Sequence, residues 1–233
     1  MIRRSIVIVL LLGLGAVFAG LVAGYTPDDA LDLTARYYAD HTAQDIGAAN
    51  IVTAIIVTYR GLDTLGEVTV LFLTAAIVGL VLSRGRREGA GPHRELPPSG
   101  ELLTTGTRLL VPLMLLLGVY VFVNGHLTPG GGFQGGAILA SAILLLLLTD
   151  PLLRFGHGLI AAIESTAGVI FVGIGVLGIF MAGGFLDNRI LPIGTLGDLF
   201  SAGAIPVIYS VIGLKVGAEF SSMLVDLFET EDL

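Results

Sequence analysis

Read for polarity alone, the chain is a succession of apolar runs separated by short polar breaks. Uninterrupted or nearly uninterrupted runs occupy residues 5–23, 65–82, 109–124, 137–148, 158–181 and 203–224. Most of them approach or exceed the ~18–20 residues that cross a hydrocarbon layer. The fourth predicts a helix whose first turn begins near Gln134. A shorter apolar stretch, 48–59, is too short to span and predicts an interfacial or re-entrant helix that breaks at Gly61. After the break, Asp63 or Thr64 is placed to cap the next helix, with Glu67 in its first turn. The expected fold is all-α: a polytopic membrane protein with about six transmembrane helices and one short interfacial or re-entrant helix.

The polar breaks set the organisation. Met1-Ile-Arg-Arg4 resembles the start of a signal peptide, but the apolar run behind it exceeds the usual ~7–15 residues, so we expect a retained span. Residues 25–45 are rich in Asp and predict a solvated loop with at most one helical turn. Residues 84–105 contain Arg, Gly and Pro in quantity and predict a linker between a two-span domain (1–83) and a four-span domain (106–233). Six spans place both termini on one side. Arginines 3, 4, 84, 86, 87, 94, 108 and 154 then share that side, and only Arg36, Arg60 and Arg189 oppose them. The positive-inside rule predicts cytoplasmic termini and a cytoplasmic linker, in a multi-pass protein of the cell (inner) membrane.

Composition narrows the function. Hydrophobic residues make up 54% of the chain and charged residues 13%, about half the share usual in soluble domains. There is no Cys, which removes thiolate metal sites and thiol catalysis. The net charge of −7 argues against nucleic acid as a partner. Four scattered His show no metal-ligand spacing, and Ser and His form no nucleophile arrangement, so neither a metal site nor an enzyme is expected. Gly130–Gly136 lacks the Gly-Lys-Ser/Thr ending of a phosphate loop.

Ionisable residues inside spans cost a few kcal/mol each (roughly 2.5–3.5 at the centre) and therefore face protein or water. Glu164, Lys215 and Glu219 lie within ~8–13 Å of the inner ends of the last two spans, and Lys215 and Glu219 share a helical face. They form one cluster if those spans pack together. It reads either as a proton or cation relay or as a neutralised structural pair, with Glu219 alternatively snorkelling to the interface. Glu67 reads either as a functional carboxylate or as a cap near water. The glycine stretch from Asn124 to Gly136 contains His126, Thr128, Pro129, Gly130, Gly131, Gly132 and Gln134. It reads as an outer ion mouth or as a tight hairpin that packs against a neighbouring subunit.

Thr128-Pro-Gly-Gly-Gly-Phe-Gln-Gly-Gly136, preceded by Gly125-His126, resembles the signature of the MnhB-type subunit of Mrp multisubunit Na+/H+ antiporters. Leu191-Pro-Ile-Gly-Thr-Leu-Gly197 and the final span fit that family. Asn50-Ile-Val-Thr53 with Arg60-Gly-Leu-Asp-Thr-Leu-Gly-Glu67 resembles the carboxy-terminal part of the large, A-type antiporter subunit. It equally resembles the small, E-type subunit of energy-converting membrane-bound hydrogenases. The Lys215 segment is closer to the hydrogenase-associated versions. The resemblance implies a non-catalytic subunit without cofactors, associated with other membrane subunits in the lipid bilayer and contributing to Na+ and H+ movement. It singles out Glu67, with Asp63 in the same motif, and adds them to Glu164, Lys215 and Glu219 as candidate ion-pathway residues. It also leaves room for a spacer that packs antiporter-like subunits without conducting. A stand-alone channel is a third class, which purification as a functional homo-oligomer would identify.

Overall fold

The computed structural model describes residues 2–25, 30–88, 99–150, 153 and 155–231. They form helices and connections, with no strand among the described residues. Residues 1–37 make one compact unit and residues 38–233 another. The first unit is dominated by α1 (Ile2–Ala23), apolar throughout after its Arg pair. Helix α2 (Leu33–Asp45) follows. The loop expected at residues 25–45 is therefore mostly helical. The Asp32 carboxylate accepts a 2.7 Å hydrogen bond from the Ala35 amide, which caps the first turn of a polar helix that hydropathy does not mark.

The second unit contains a very short α3 (Ile51–Thr53), which runs directly into a π-helical segment, Ala54–Tyr59. Asn50 caps α3 by accepting from the Thr53 amide. Helix α4 (Gly61–Glu88) begins two to three residues before the predicted cap. Thr64 is not that cap: its hydroxyl reaches back 2.8 Å to the Ile56 carbonyl, one of the acceptors at the end of the π segment. Asp63 sits inside the first turn and pairs with Arg60 at 2.6 Å.

Three more long helices follow, α5 (Glu101–Val123), α6 (Gly132–Thr149) and α7 (His157–Met181). The last is α8 (Ile205–Glu231). Helix α5 starts within the stretch read as linker and α4 extends into it; residues 89–98 of that stretch lie outside the described residues. So do 151, 152 and 154 of the α6–α7 turn. By length and composition α1, α4, α5, α6 and α7 can each cross a membrane. The 27 residues of α8 rise ~40 Å, ample for a sixth crossing, but this helix carries charge at its centre.

Helix α8 is the axis of the second unit. It packs on α4, α5, α6 and α7, and α5 also pairs closely with α6. Its inward residues Ile205, Ile208, Ile212, Val216 and Val225 are all within 2% of complete burial. The contacts with α6 depend on glycine. A Cβ added at Gly136 would lie 2.7 Å from the Gly213 carbonyl oxygen of α8, and one at Gly132 would lie 2.6 Å from the Ile212 side chain. Gly135, one residue earlier than Gly136, faces the other way. A Cβ there would lie 2.6 Å from the Gly118 carbonyl oxygen of α5. Consecutive glycines thus let α6 approach two neighbours at backbone distance, the usual device for helix association in lipid.

A single methyl at these points has no room. We expect Gly136→Ala to destabilise the folded chain by ~1–3 kcal/mol, the usual effect of overpacking. Gly66→Ala, where nothing lies within 4 Å, should be neutral or slightly stabilising because alanine favours helix. Thermal unfolding of the purified protein in mild detergent measures both.

Candidate functional site: buried charges and the glycine connection

Lys215 and Glu219 occupy successive turns of α8, and the lysine donates to the carboxylate at 2.7 Å. Their side chains are 8% and 0% exposed. The second carboxylate oxygen, Oε2 of Glu219, is buried and has no hydrogen-bond partner among the described residues. Glu164 of α7 lies near enough to act electrostatically on Glu219. Gly168, one turn along α7, leaves space beside the lysine: a Cβ there would be 3.6 Å from Nζ. From α4, the Phe72 ring lies 5.1 Å from the ammonium, within cation–π range. The sequence-predicted cluster of Glu164, Lys215 and Glu219 is therefore assembled, because α7 and α8 are packed neighbours.

This cluster borders a cleft of about 910 Å³ between α4, α7 and α8. Its walls are largely apolar; Thr69, Glu164, Ser165 and Lys215 supply the polar groups. Gly173 also opens onto it, with nothing within 4 Å of an added Cβ, whereas Gly175 and Gly178 are filled by the connection that follows α7. Glu164 and Lys215 face the cleft and Glu219 is buried behind Lys215, so two carboxylates and an ammonium adjoin in surroundings where each biases the others' charge.

Glu67 is not part of that wall. It is exposed on α4, five residues or ~7.5 Å along the helix from Phe72. Its carboxylate acts on the phenol of Tyr209 in the first turns of α8. Tyr209 in turn packs on the glycine connection, where a Cβ at Gly125 would lie 2.5 Å from its ring. Asp63 forms a half-exposed pair with Arg60, of the kind that contributes little to stability.

The connection between α5 and α6 is held by residues to which sequence reasoning assigned no role. The Asn50 side-chain amide donates to the carbonyls of Gly125 (2.9 Å) and Thr128 (3.0 Å). The Thr53 hydroxyl also donates to the Gly125 carbonyl, and the Asn50 backbone amide donates to the His126 carbonyl. Gly130 has φ 143°, a conformation that side-chain-bearing residues rarely take. Thr128 is half-buried and donates to Asn124, while Pro129 and Gln134 are exposed. Gly131 lies against Tyr209. His126 is completely buried, with Nε2 3.4 Å from the Asp198 carbonyl. Burial lowers its pKa, against the opposite pull of backbone hydrogen bonds with Asp198, Val123 and Leu199.

On the α7–α8 connection, Asn188 donates to Ile46 (2.9 Å) and Ala202 (3.0 Å). Burial tends to raise the Asp187 carboxyl, but hydrogen bonds and charge from Arg189 outweigh it and hold it below the ordinary range. Among the described residues, no group of three or more His, Asp and Glu could hold a metal ion.

A helical bundle with buried charge on its central helix and two glycine-dependent connections defines a class of polytopic membrane proteins, and comparison with known proteins narrows it. Residues 102–222 match the family described as "Domain related to MnhB subunit of Na+/H+ antiporter", and the chain belongs to that family. Residues 2–92 match a second family, MbhE, the E-type subunit of MBH. An uncharacterized protein of Methanocaldococcus jannaschii is 31% identical over 197 residues, covering 74% of each chain. A probable A/B-type subunit of a K(+)/H(+) antiporter from Rhizobium meliloti is 27% identical, over 70% of this chain but 20% of that protein. The B-type subunit of the Na(+)/H(+) antiporter of Bacillus subtilis is 49% identical over 51 residues, 36% of its length.

Among solved structures, a chain of the membrane-bound sulfane sulfur reductase, an archaeal respiratory membrane complex, matches with TM-score 0.82 and 37% identity. The match covers 98% of this chain and 99% of that one. A chain of the Mrp complex from Dietzia sp. DQ12-45-1b matches with TM-score 0.78 and 28% identity, over 97% of this chain and 26% of that one.

His126 provides a pH test of the connection. Its folded pKa lies below 6.5, so the unfolded form takes up the proton first. Stability from the neutral ring is complete above that value and falls as pH drops below it. Asp187 loses its contribution in the same direction, but only at pH near and below its ordinary value of 3.8. Amide exchange in residues 124–131, corrected for its intrinsic pH dependence, should therefore quicken between about pH 7.5 and about pH 5.5. His126→Asn should remove that pH dependence.

Proposed function

We propose that this chain is a non-catalytic membrane subunit of a multisubunit antiporter module, exchanging a monovalent cation for protons within an Mrp or energy-converting respiratory complex. Its part is to supply one segment of the ion pathway. The observation that carries this reading is the buried Lys215–Glu219 pair, with Lys215 at the wall of the α4–α7–α8 cleft and one Glu219 oxygen without a hydrogen-bond partner among the described residues. A pair kept only for cohesion would gain from saturating that oxygen, because an unpaired buried acceptor costs about 1–3 kcal/mol. An acceptor left open is suited to a passing proton or cation. In this reading Glu164 and Lys215 modulate the charge of Glu219. Glu67 hands ions to or from the glycine-connection end beside Tyr209.

Several further points belong to the same proposal. Residues 1–83 act as an MbhE-like domain and 106–233 as an MnhB-like domain, joined by the intervening linker. The termini and linker face the cytoplasm, as the eight-to-three arginine distribution supports. Other membrane subunits surround the bundle and contain the main proton channel. Na+ or a similar cation and H+ are its transported partners, and it binds no cofactor of its own.

The spacer reading is separated by a double substitution. Removing one member of a buried pair destabilises by ~3–5 kcal/mol, whereas replacing both with apolar residues is often neutral. Lys215→Met/Glu219→Leu should therefore assemble, yet lose cation-driven proton exchange in inverted vesicles. Full exchange in that variant, together with full exchange in Glu67→Gln, overturns the transport reading and leaves the spacer. Orientation is checked separately, since the chain has no native cysteine. A membrane-impermeant thiol reagent applied outside should label Pro129→Cys and spare Glu101→Cys in intact cells.

A further inference from the structure

A second cleft, of about 560 Å³, lies between α5 and the end of α6. Its volume falls in the ~300–1,000 Å³ range of ligand sites. We propose that it binds the phosphodiester headgroup of a membrane phospholipid, with the upper acyl chain lying in its apolar floor. The argument starts from depth. Helix α6 has 18 residues and rises ~27 Å, barely the thickness of the hydrocarbon layer. Its last residue, Thr149, therefore marks the layer's edge. The Thr149 hydroxyl is hydrogen-bonded to that of Thr107 at 2.6 Å, so α5 crosses the same boundary at Thr107.

The lining changes character at that level. Val111, Pro112 and Leu146 lie on the hydrocarbon side. Ser99, Thr104 and Asp150 lie at or beyond the boundary, and Arg108 is one residue inside it on α5, with a stem long enough to carry its guanidinium back to that level. A cleft that is polar at its mouth and apolar at its floor, placed at the edge of the bilayer, has the shape of a lipid rather than of a soluble solute.

The charges specify the headgroup. Arg108 is exposed, lies in the lining and has no ion-pair partner among the described residues. Its planar fork matches phosphate oxygens and its stem can lie along apolar surface. Basic pockets at this level are a recurrent means of holding lipid headgroups. The Ser99 and Thr104 hydroxyls, 3.1 Å apart, add donors near the N-terminus of α5. Pro112 lacks an amide hydrogen, so the Arg108 carbonyl one turn earlier loses its usual helical partner and adds an acceptor at the same level. A phospholipid meets both zones of the lining, with its phosphodiester at the mouth and its upper acyl chain on the floor, which a free phosphate cannot do.

The test uses the full chain in its native complex, extracted gently and delipidated. Phosphatidylethanolamine, phosphatidylglycerol, glycerophosphoethanolamine and inorganic phosphate are then added separately and binding is read by native mass spectrometry. We expect the two phospholipids to bind and the two soluble phosphates not to displace them. Arg108→Gln should weaken phospholipid retention about tenfold, as loss of a charge-assisted contact implies, with Arg108→Lys intermediate. Arg108 is exposed, so these variants should fold. Unchanged retention in Arg108→Gln overturns the site. Displacement by inorganic phosphate at matched concentration overturns the lipid as its occupant.

Discussion

Helices in hydrocarbon gain little from hiding apolar side chains, because lipid tails are equally apolar. Their cohesion therefore depends on backbone-close contact, and in this chain the contact is made where α6 crosses α8 and α5. Gly132, Gly135 and Gly136 allow the two approaches, and Gly118 and Gly213 meet them from the neighbouring helices. Everything else in the second unit follows from α8 being held there. With α8 fixed, α7 and α4 cover its remaining sides, and Lys215 and Glu219 are enclosed rather than left facing lipid.

Enclosure determines what the charges can do. The same low-polarity surroundings that make an ion pair strong also make an unsatisfied oxygen costly. At Glu219 one oxygen is matched by Lys215 and the other is not, and Glu164 adds a like charge nearby. Such a group responds strongly to small changes in its neighbours' charge. Nearer the start of α8, Tyr209 sits between the carboxylate of Glu67 and the glycine connection, so both places are served by the same helix.

The parts of this arrangement legible in the sequence are those encoded locally. Apolar runs marked five of the long helices and the core of α8, and the four-residue spacing of Lys215 and Glu219 foretold their pairing. The family resemblance rested on the glycine stretch and on the segment before Glu67. Helix α2 was missed because a polar helix leaves no hydropathy signal, although Asp32 before Leu33 was a visible cap. The π-helical turn was illegible because Ala54–Tyr59 would suit an ordinary helix equally well. The roles of Asn50, Thr53 and Asn188 were also missed. Each is a single polar residue whose partner lies 72 to 142 positions away, and no local pattern identifies such a pairing.

The hydrogen bonds from Asn50 to Gly125 and Thr128 join the segment matched to one family with the segment matched to another. Carrying both on one polypeptide makes their meeting an intramolecular event. The effective concentration of one half around the other is then set by the covalent connection and not by how much of each is made. Docking that would be weak between separate chains is then favoured independently of expression level. The stoichiometry of the two halves is fixed at one to one, and neither can be incorporated into a larger assembly without the other.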